Sequence, residues 1–403
     1  MKQTILVLIL TVQFNNLLIG QQLHDIKSSH EIETEIKNGE LSESSAAYYY
    51  TYIGEYKKAL ETYELHLDWG LDTMTYLDSI GFLKYKPVNA FEYLSEKTKD
   101  EKIVIISEAH HKPQHRIFTR KLLKDLYKNG FRYLGIETVT PSFGDTMQFL
   151  MDSDLNKRGY PLYSPLTGYY TREPQMANMV REAIKLGFEI FGYEATTKER
   201  DRDLQQAINI SRFIKNHPNG KTVIHCGWYH AIESDFPKRK KDHYMAYHLK
   251  KITGINPLTI YQDALSEKIK IPESPFYELI NSKNISVLID ENGKVFNGKN
   301  NSKHFDIFIY HPKTIYIKNR SNWLFEIKGN KFMEIEKGKI KKEQYPIIVK
   351  AFLEKENKTA CPIDIIELKN SKDKTELILP DGNYRIVIID KDRNKIEYQK
   401  EVK

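Results

Sequence analysis

The ten residues SEAHHKPQHR, Ser107 to Arg116, hold a glutamate, three histidines and an arginine directly after the apolar run IVIIS. Glu108, His110, His111 and His115 all fall there, although the whole chain has 13 histidines. Imidazoles that titrate near neutrality beside a carboxylate are suited to proton transfer. Two more glutamates, Glu137 and Glu194, close apolar runs of their own, and His230 closes a fourth in Gly227-Trp-Tyr-His230. Carboxylates gathered in one pocket raise one another's pKa and place a proton acceptor near neutral pH. Glu108, Glu137, Glu194 and His230 are therefore expected to converge on one cleft. His115 either lines that cleft or caps the first turn of the helix it opens.

These groups need a frame that brings strand ends together. IVIIS reads as a strand covered on both faces, because it is apolar throughout and bounded by charge. His115–Asn129 reads as an amphipathic helix with Phe118, Leu122 and Leu126 on one face and Gly130 as its left-handed cap. RYLGIE, KLGFEIFGYEA, KTVIHCGWYH and PLTIYQDA supply further strands. KNGFRYLGIET and KLGFEIFGYEA share in register a Lys, a capping Gly, a Phe, a second Gly and a Glu, the mark of a recurring helix-turn-strand unit. Strands alternating with helices predict an α/β fold with an open, mostly parallel sheet and helices on both faces, whose ligands bind beyond the carboxyl ends of the strands. Between Pro141 and Pro174, Tyr160, Tyr163, Tyr169 and Tyr170 mark an insertion placed to cover the cleft or to pack its own rings.

The sequence has 403 residues, 40% hydrophobic and 29% charged, which is the range of chains that fold. Its net charge of +7 comes from 61 basic and 54 acidic residues, a balance that leaves no footprint for nucleic acid. Residues 1 to 20 have the layout of a secretory signal peptide: Lys2, an apolar stretch, then Gln21 and Gln22. The expectation is an exported chain, periplasmic or secreted, with no transmembrane segment once matured. Residues 21–100 read as a helical N-terminal region; Ile53–Leu67 in it resembles half of a tetratricopeptide hairpin, with no second copy. Residues 101–272 form the α/β domain. Residues 273–403 read as a β-rich module of short alternating strands punctuated by Asn-Gly and Pro-Asp-Gly turns. The helical region and the β module are the expected surfaces for a protein partner. Cys226 and Cys361 match no metal spacing and read as buried thiols.

Glu108-Ala-His110-His111-Lys-Pro113-Gln-His115, the strand ending in Glu137 and the late Gly227-Trp-Tyr-His230 together resemble the superfamily of erythromycin esterases, ChaN-like haem-uptake proteins and Tiki proteins. The Glu-x-His-x-x-Pro-x-His spacing is closest to the ChaN-like branch, whereas His111 fits the esterase branch. Ser107 stands where the family usually has glycine. The resemblance implies a hydrolase acting on an ester or amide of a small molecule or peptide. In it His110 or His111 takes a proton from water, Glu108 and Glu137 orient that imidazole, and His230 is a second acid/base. It further implies that Arg200 or Arg202 binds developing negative charge or a substrate carboxylate, beside Glu194, His115 and Tyr169. Two alternatives stay open: a haem or iron binder without turnover, and a Tiki-like metal-dependent peptidase with Zn²⁺ or Mn²⁺ on His110, His111, Glu137 and His230. No Ser stands in a Gly-x-Ser-x-Gly elbow, so water is the expected nucleophile.

Overall fold

Eight strands order the molecule: β1 (Lys86–Asn89), β2 (Ile103–Glu108), β3 (Phe131–Ile136), β4 (Glu189–Phe191), β5 (Lys221–Gly227), β6 (Leu258–Leu265), β7 (Ser286–Ile289) and β8 (Ile307–Tyr310). In this computed structural model residues 26–65, 73–139, 152–195, 201–236, 242–298 and 304–403 are described. The expected signal peptide, Arg200 and the stretch 140–151 lie outside them. The strands form one sheet in the order β1-β7-β8-β6-β2-β5-β3-β4. All neighbours from β8 to β4 are parallel, while β7 runs antiparallel to both β8 and β1. The expected α/β class, mostly parallel sheet and C-terminal antiparallel β structure are all present.

β2 is fully buried because both its faces are covered. Val104 and Ile106 pack on one side with Phe118, Leu122 and Leu126 of the Gln114–Lys128 helix and with Met176, Met179 and Val180 of the Pro174–Leu186 helix. Ile103 and Ile105 pack on the other with Ala207, Ile210 and Phe213 of the Arg202–Asn216 helix and with Met245 and Leu249. The period-2 alternation of a strand thus divides its side chains between two helical layers.

Sequence and structure part at two boundaries. β7 and β8, read as the opening of the β-rich module, belong to the large sheet, and β1 brings the helical N-terminal region to its edge. A short apolar strand carries no mark of which sheet it joins, and β8, buried at all four positions, suits a covered parallel strand. What remains of the module is a four-stranded antiparallel sheet of Ile347–Leu353, Asp364–Leu368, Gly382–Ile389 and Lys395–Val402, with smaller two-stranded pairs. Its last hairpin turns at Asp390–Asn394, where the Asp390 carboxylate accepts from the Asp392 and Asn394 amides, and not at Pro380–Asn383 as the Pro-Asp-Gly signal suggests.

The N-terminal helices Ser29–Lys37, Glu43–Thr51 and Tyr56–Leu65 pack on this module, with Ile32, Ala46, Tyr50 and Ile53 against Ile348 and Ile365. Both cysteines are free and buried, as expected. No helix among the described residues is long and apolar enough to cross a membrane.

Candidate active site

The register of the central strands places the chemistry. Glu108 lies beside Gly227 on β5, and Ile136, the residue before Glu137, lies beside His225. The ends of β2, β3 and β5 therefore meet at one edge. There a cleft of ≈ 430 Å³ is lined by His110, Glu137, Thr138, Tyr169, Tyr170, Glu194, Arg202, Trp228 and His230. It contains six of the residues expected from the sequence: His110, Glu137, Tyr169, Glu194, Arg202 and His230.

Glu108 lies just beneath the cleft, fully enclosed. Its Oε1 is 2.7 Å from His110 Nδ1, and Arg116 grips both oxygens, Nε to Oε2 and Nη2 to Oε1, each at 2.8 Å. Burial opposes the charge on Glu108, but Arg116, with His225 and His110 adding, outweighs it and holds the carboxyl well below its usual range. An ionised carboxylate only accepts, so His110 carries its proton on Nδ1 and keeps a lone pair on Nε2. Arg116 also donates to Glu173 Oε2 at 2.8 Å, and Tyr56 of the N-terminal helices donates to Glu173 Oε1 at 3.1 Å. Burial lifts Glu173 above its ordinary value, so it is the weaker of the two acids on Arg116.

A second imidazole has a carboxylate of its own. His230 Nδ1 is 2.6 Å from Asp203 Oδ1, and Asp203 is fixed in turn by the Met245 amide at 2.8 Å. His230 sits on the short turn Trp228–Ala231 that follows β5, three residues beyond the strand end where the sequence reading put it. Its Nε2 faces two partners of opposite kind: Arg202 Nη1, a donor, at 3.0 Å, and Glu137 Oε1, an acceptor, at 3.4 Å. The first needs a lone pair on Nε2 and the second a proton. Burial disfavours the charged ring, but Glu137 and Asp203 outweigh it and raise the pKa above the ordinary histidine value, which favours the proton.

Glu137 joins the two halves. Its Oε2 accepts from the Gly227 amide at 2.6 Å and its Oε1 from Arg202 Nη2 at 2.6 Å. Burial opposes its charge, yet His230, His110 and Arg202 bring it down to about 2. Arg202, on the first turn of its helix, also pairs with both oxygens of Glu194. Gly227 has a steric duty: a Cβ there would lie 2.5 Å from His110 Nε2 and 3.3 Å from Glu137 Oε2.

His111 and His115 do not join this cleft. The chain leaves β2 with His110 on the cleft side and His111 on the other, where His111 stacks on Tyr63 at 3.7 Å. Burial drives its pKa well below the usual value, and Lys112 adds to this. Lys112 is itself buried, donating to Asp263 Oδ1 at 2.8 Å and Ser266 Oγ at 2.6 Å. His115 Nδ1 accepts from the Ala109 amide at 3.0 Å and braces the loop from below. Of the insertion, Tyr169 and Tyr170 reach the cleft, whereas Tyr160 and Tyr163 dock on the Thr359 region of the β module.

A metal ion does not suit these donors. Arg202 occupies the carboxylates of Glu137 and Glu194, His111 faces away, and among the described residues no three His, Cys, Asp or Glu side chains gather as a metal site.

Arg116, Glu173, Asp203 and Trp228 belong to the site although sequence reasoning gave them no role. Arg116 had a signal: it is a charged residue next to Ile117 and Phe118 on the buried side of an amphipathic helix. Asp203 had a weaker one, since its neighbour Asp201 already caps the helix by accepting from the Asp203 and Leu204 amides.

No family model and no curated protein matches the chain. Among solved structures, the type III effector HopBA1 aligns over 57% of this chain and 97% of its own, at 14% identity and a TM-score of 0.35. RRSP, a MARTX toxin effector domain from Vibrio vulnificus CMCP6, aligns over 43% of this chain and 36% of its own, at 16% identity and a TM-score of 0.32. Both TM-scores lie below 0.5, so the functional reading rests on the site alone.

Proposed function

We propose that the chain is an exported hydrolase of ester or amide bonds, similar in its chemistry to the erythromycin esterase-like proteins. The observation that carries the reading is a pair of imidazoles at one cleft, each with a carboxylate on Nδ1, and with Glu137 and Arg202 beside them. Neutral His110 accepts a proton from water through Nε2, Glu108 stabilises the imidazolium that forms, and the hydroxide attacks the carbonyl carbon. Arg202 and protonated His230 face the oxygen on which negative charge builds. His230 then gives its Nε2 proton to the departing alkoxide or amine. The apolar stretch before Gln21 supports export.

The test is a panel of esters and amides with a pH–rate profile. Hydrolysis is expected, with an alkaline limb above the ordinary histidine pKa of about 6.5, because His230 must be protonated and its pKa is raised. Asp203→Asn removes one cause of that rise, so the limb should move to lower pH; an unmoved limb would show that His230 is not the acid. The same shifts give stability its pH dependence. His230 contributes fully below about 6.5 and loses its contribution as pH rises through its higher folded value. Glu137 contributes above the ordinary carboxylate range and loses its share as pH falls toward about 2.

Gly227→Ala checks the geometry. The added methyl displaces the His110 ring, and a shift of about 1 Å costs on the order of 10²-fold in rate. The expected result is that loss in kcat together with a lower unfolding midpoint, because the methyl meets a buried ring held by Glu108 and Tyr170.

A further inference from the structure

The cleft is walled with aromatic rings that hydrolysis itself does not require. His110 and Tyr170 stack with centroids 4.1 Å apart at 25°. Trp228 stands at 77° to His110 and 4.6 Å away, and Tyr169 at 82° to Tyr170 and 5.2 Å away. Rings in two roughly perpendicular orientations thus border the cleft beside His110. Trp228 has a backbone φ of +33°, a conformation that a bulky side chain adopts only when its surroundings impose it, and one that gathers at functional sites. Packing against Tyr63, 5.8 Å away at 17°, holds it there. Tyr169 is 43% exposed, with the Arg172 guanidinium over its ring at 4.5 Å.

Arg202 is shared by Glu137 and Glu194, His230 by Asp203 and Glu137, and Arg116 beneath by Glu108 and Glu173. An anionic group would have to displace a carboxylate from Arg202 or His230, whereas a neutral ring meets faces and edges suited to it. We propose that Tyr169, Tyr170 and Trp228 form a subsite for an uncharged aromatic group of the substrate, so that aryl-bearing esters or amides are selected over alkyl ones of similar size. This assignment deepens the hydrolase reading and rests on it for turnover.

Two experiments separate the two claims. Hydrolysis of methyl phenylacetate is compared with that of methyl hexanoate, in wild type and in Tyr169→Ala and Trp228→Leu. The aromatic ester is expected to be favoured about tenfold in kcat/KM, chiefly through KM, and each substitution should bring the ratio toward one. A ratio within about twofold of one in the wild type, or a ratio untouched by both substitutions, overturns the subsite. Binding of 2-naphthamide, followed by tryptophan fluorescence, needs no turnover. The emission that is lost in Trp228→Phe should be the part that naphthamide quenches. If no ester is cleaved but this quenching saturates, the hydrolase reading fails and the aromatic subsite stands; if naphthamide leaves Trp228 emission unchanged, the subsite is rejected.

Discussion

Glu108→Ala is expected to lose about 3–5 kcal/mol of folding stability together with turnover. The stability loss follows from Arg116, which is fully buried and keeps only Glu173 and the His110 carbonyl once Glu108 is gone. Removing one partner of a buried pair leaves an uncompensated charge, and about 3–5 kcal/mol is the usual cost. That is a large part of the roughly 5–15 kcal/mol by which domains are stable, so urea denaturation should show it as a much lower midpoint. The loss of turnover has a separate cause: His110 Nδ1 loses the acceptor that fixes its tautomer. Glu108→Met with Arg116→Met separates the two effects. The double variant buries no unpaired guanidinium, and Glu173, whose pKa burial already raises, takes a proton at small cost. Its stability should recover most of the loss while hydrolysis stays absent. Recovery of both would show that Glu108 serves the fold alone.

His110→Gln is expected to do the opposite. The glutamine amide can still donate toward Glu108, so the buried carboxylate keeps a partner, and the lost ring packing on Tyr170 should cost only about 1 kcal/mol. Gln has no nitrogen that accepts a proton at neutral pH, and a positioned general base contributes typically 10²–10⁴-fold. The kcat on whichever ester the panel identifies should fall by about that factor with KM nearly unchanged. If kcat stays within about tenfold of wild type, His110 is not the base.

The sequence made the frame legible where one pattern left one solution. IVIIS is apolar at consecutive positions and became β2; the face set by Phe118, Leu122 and Leu126 became the Gln114–Lys128 helix. The site was legible as a set of strand ends, because parallel strands deliver their last residues to the same edge. Choosing between His110 and His111 was beyond it. Adjacent residues leaving a strand point to different sides, and only the packing of Tyr63 and Tyr170 settles which side is the cleft. Arg116 escaped for a related reason: its partners Glu108 and Glu173 lie 8 and 57 residues away, and no local period connects them. The placement of β7 and β8 was equally hidden, since hydrophobic pattern gives a strand's burial and not its neighbours.

The contact from Tyr56 through Glu173 and Arg116 to Glu108 has a consequence for the order of assembly. Its members are 117, 57 and 8 residues apart. Contacts between distant parts of a chain are entropically late, because the intervening loop must be closed before they form. The Glu108–Arg116 pair can therefore arise early, within one strand-helix unit, while Glu173 and Tyr56 lock it only after the helices from both flanks have docked. His110 and Glu108 can thus meet early, while the enclosure around Arg116 is completed only when the distant segments arrive.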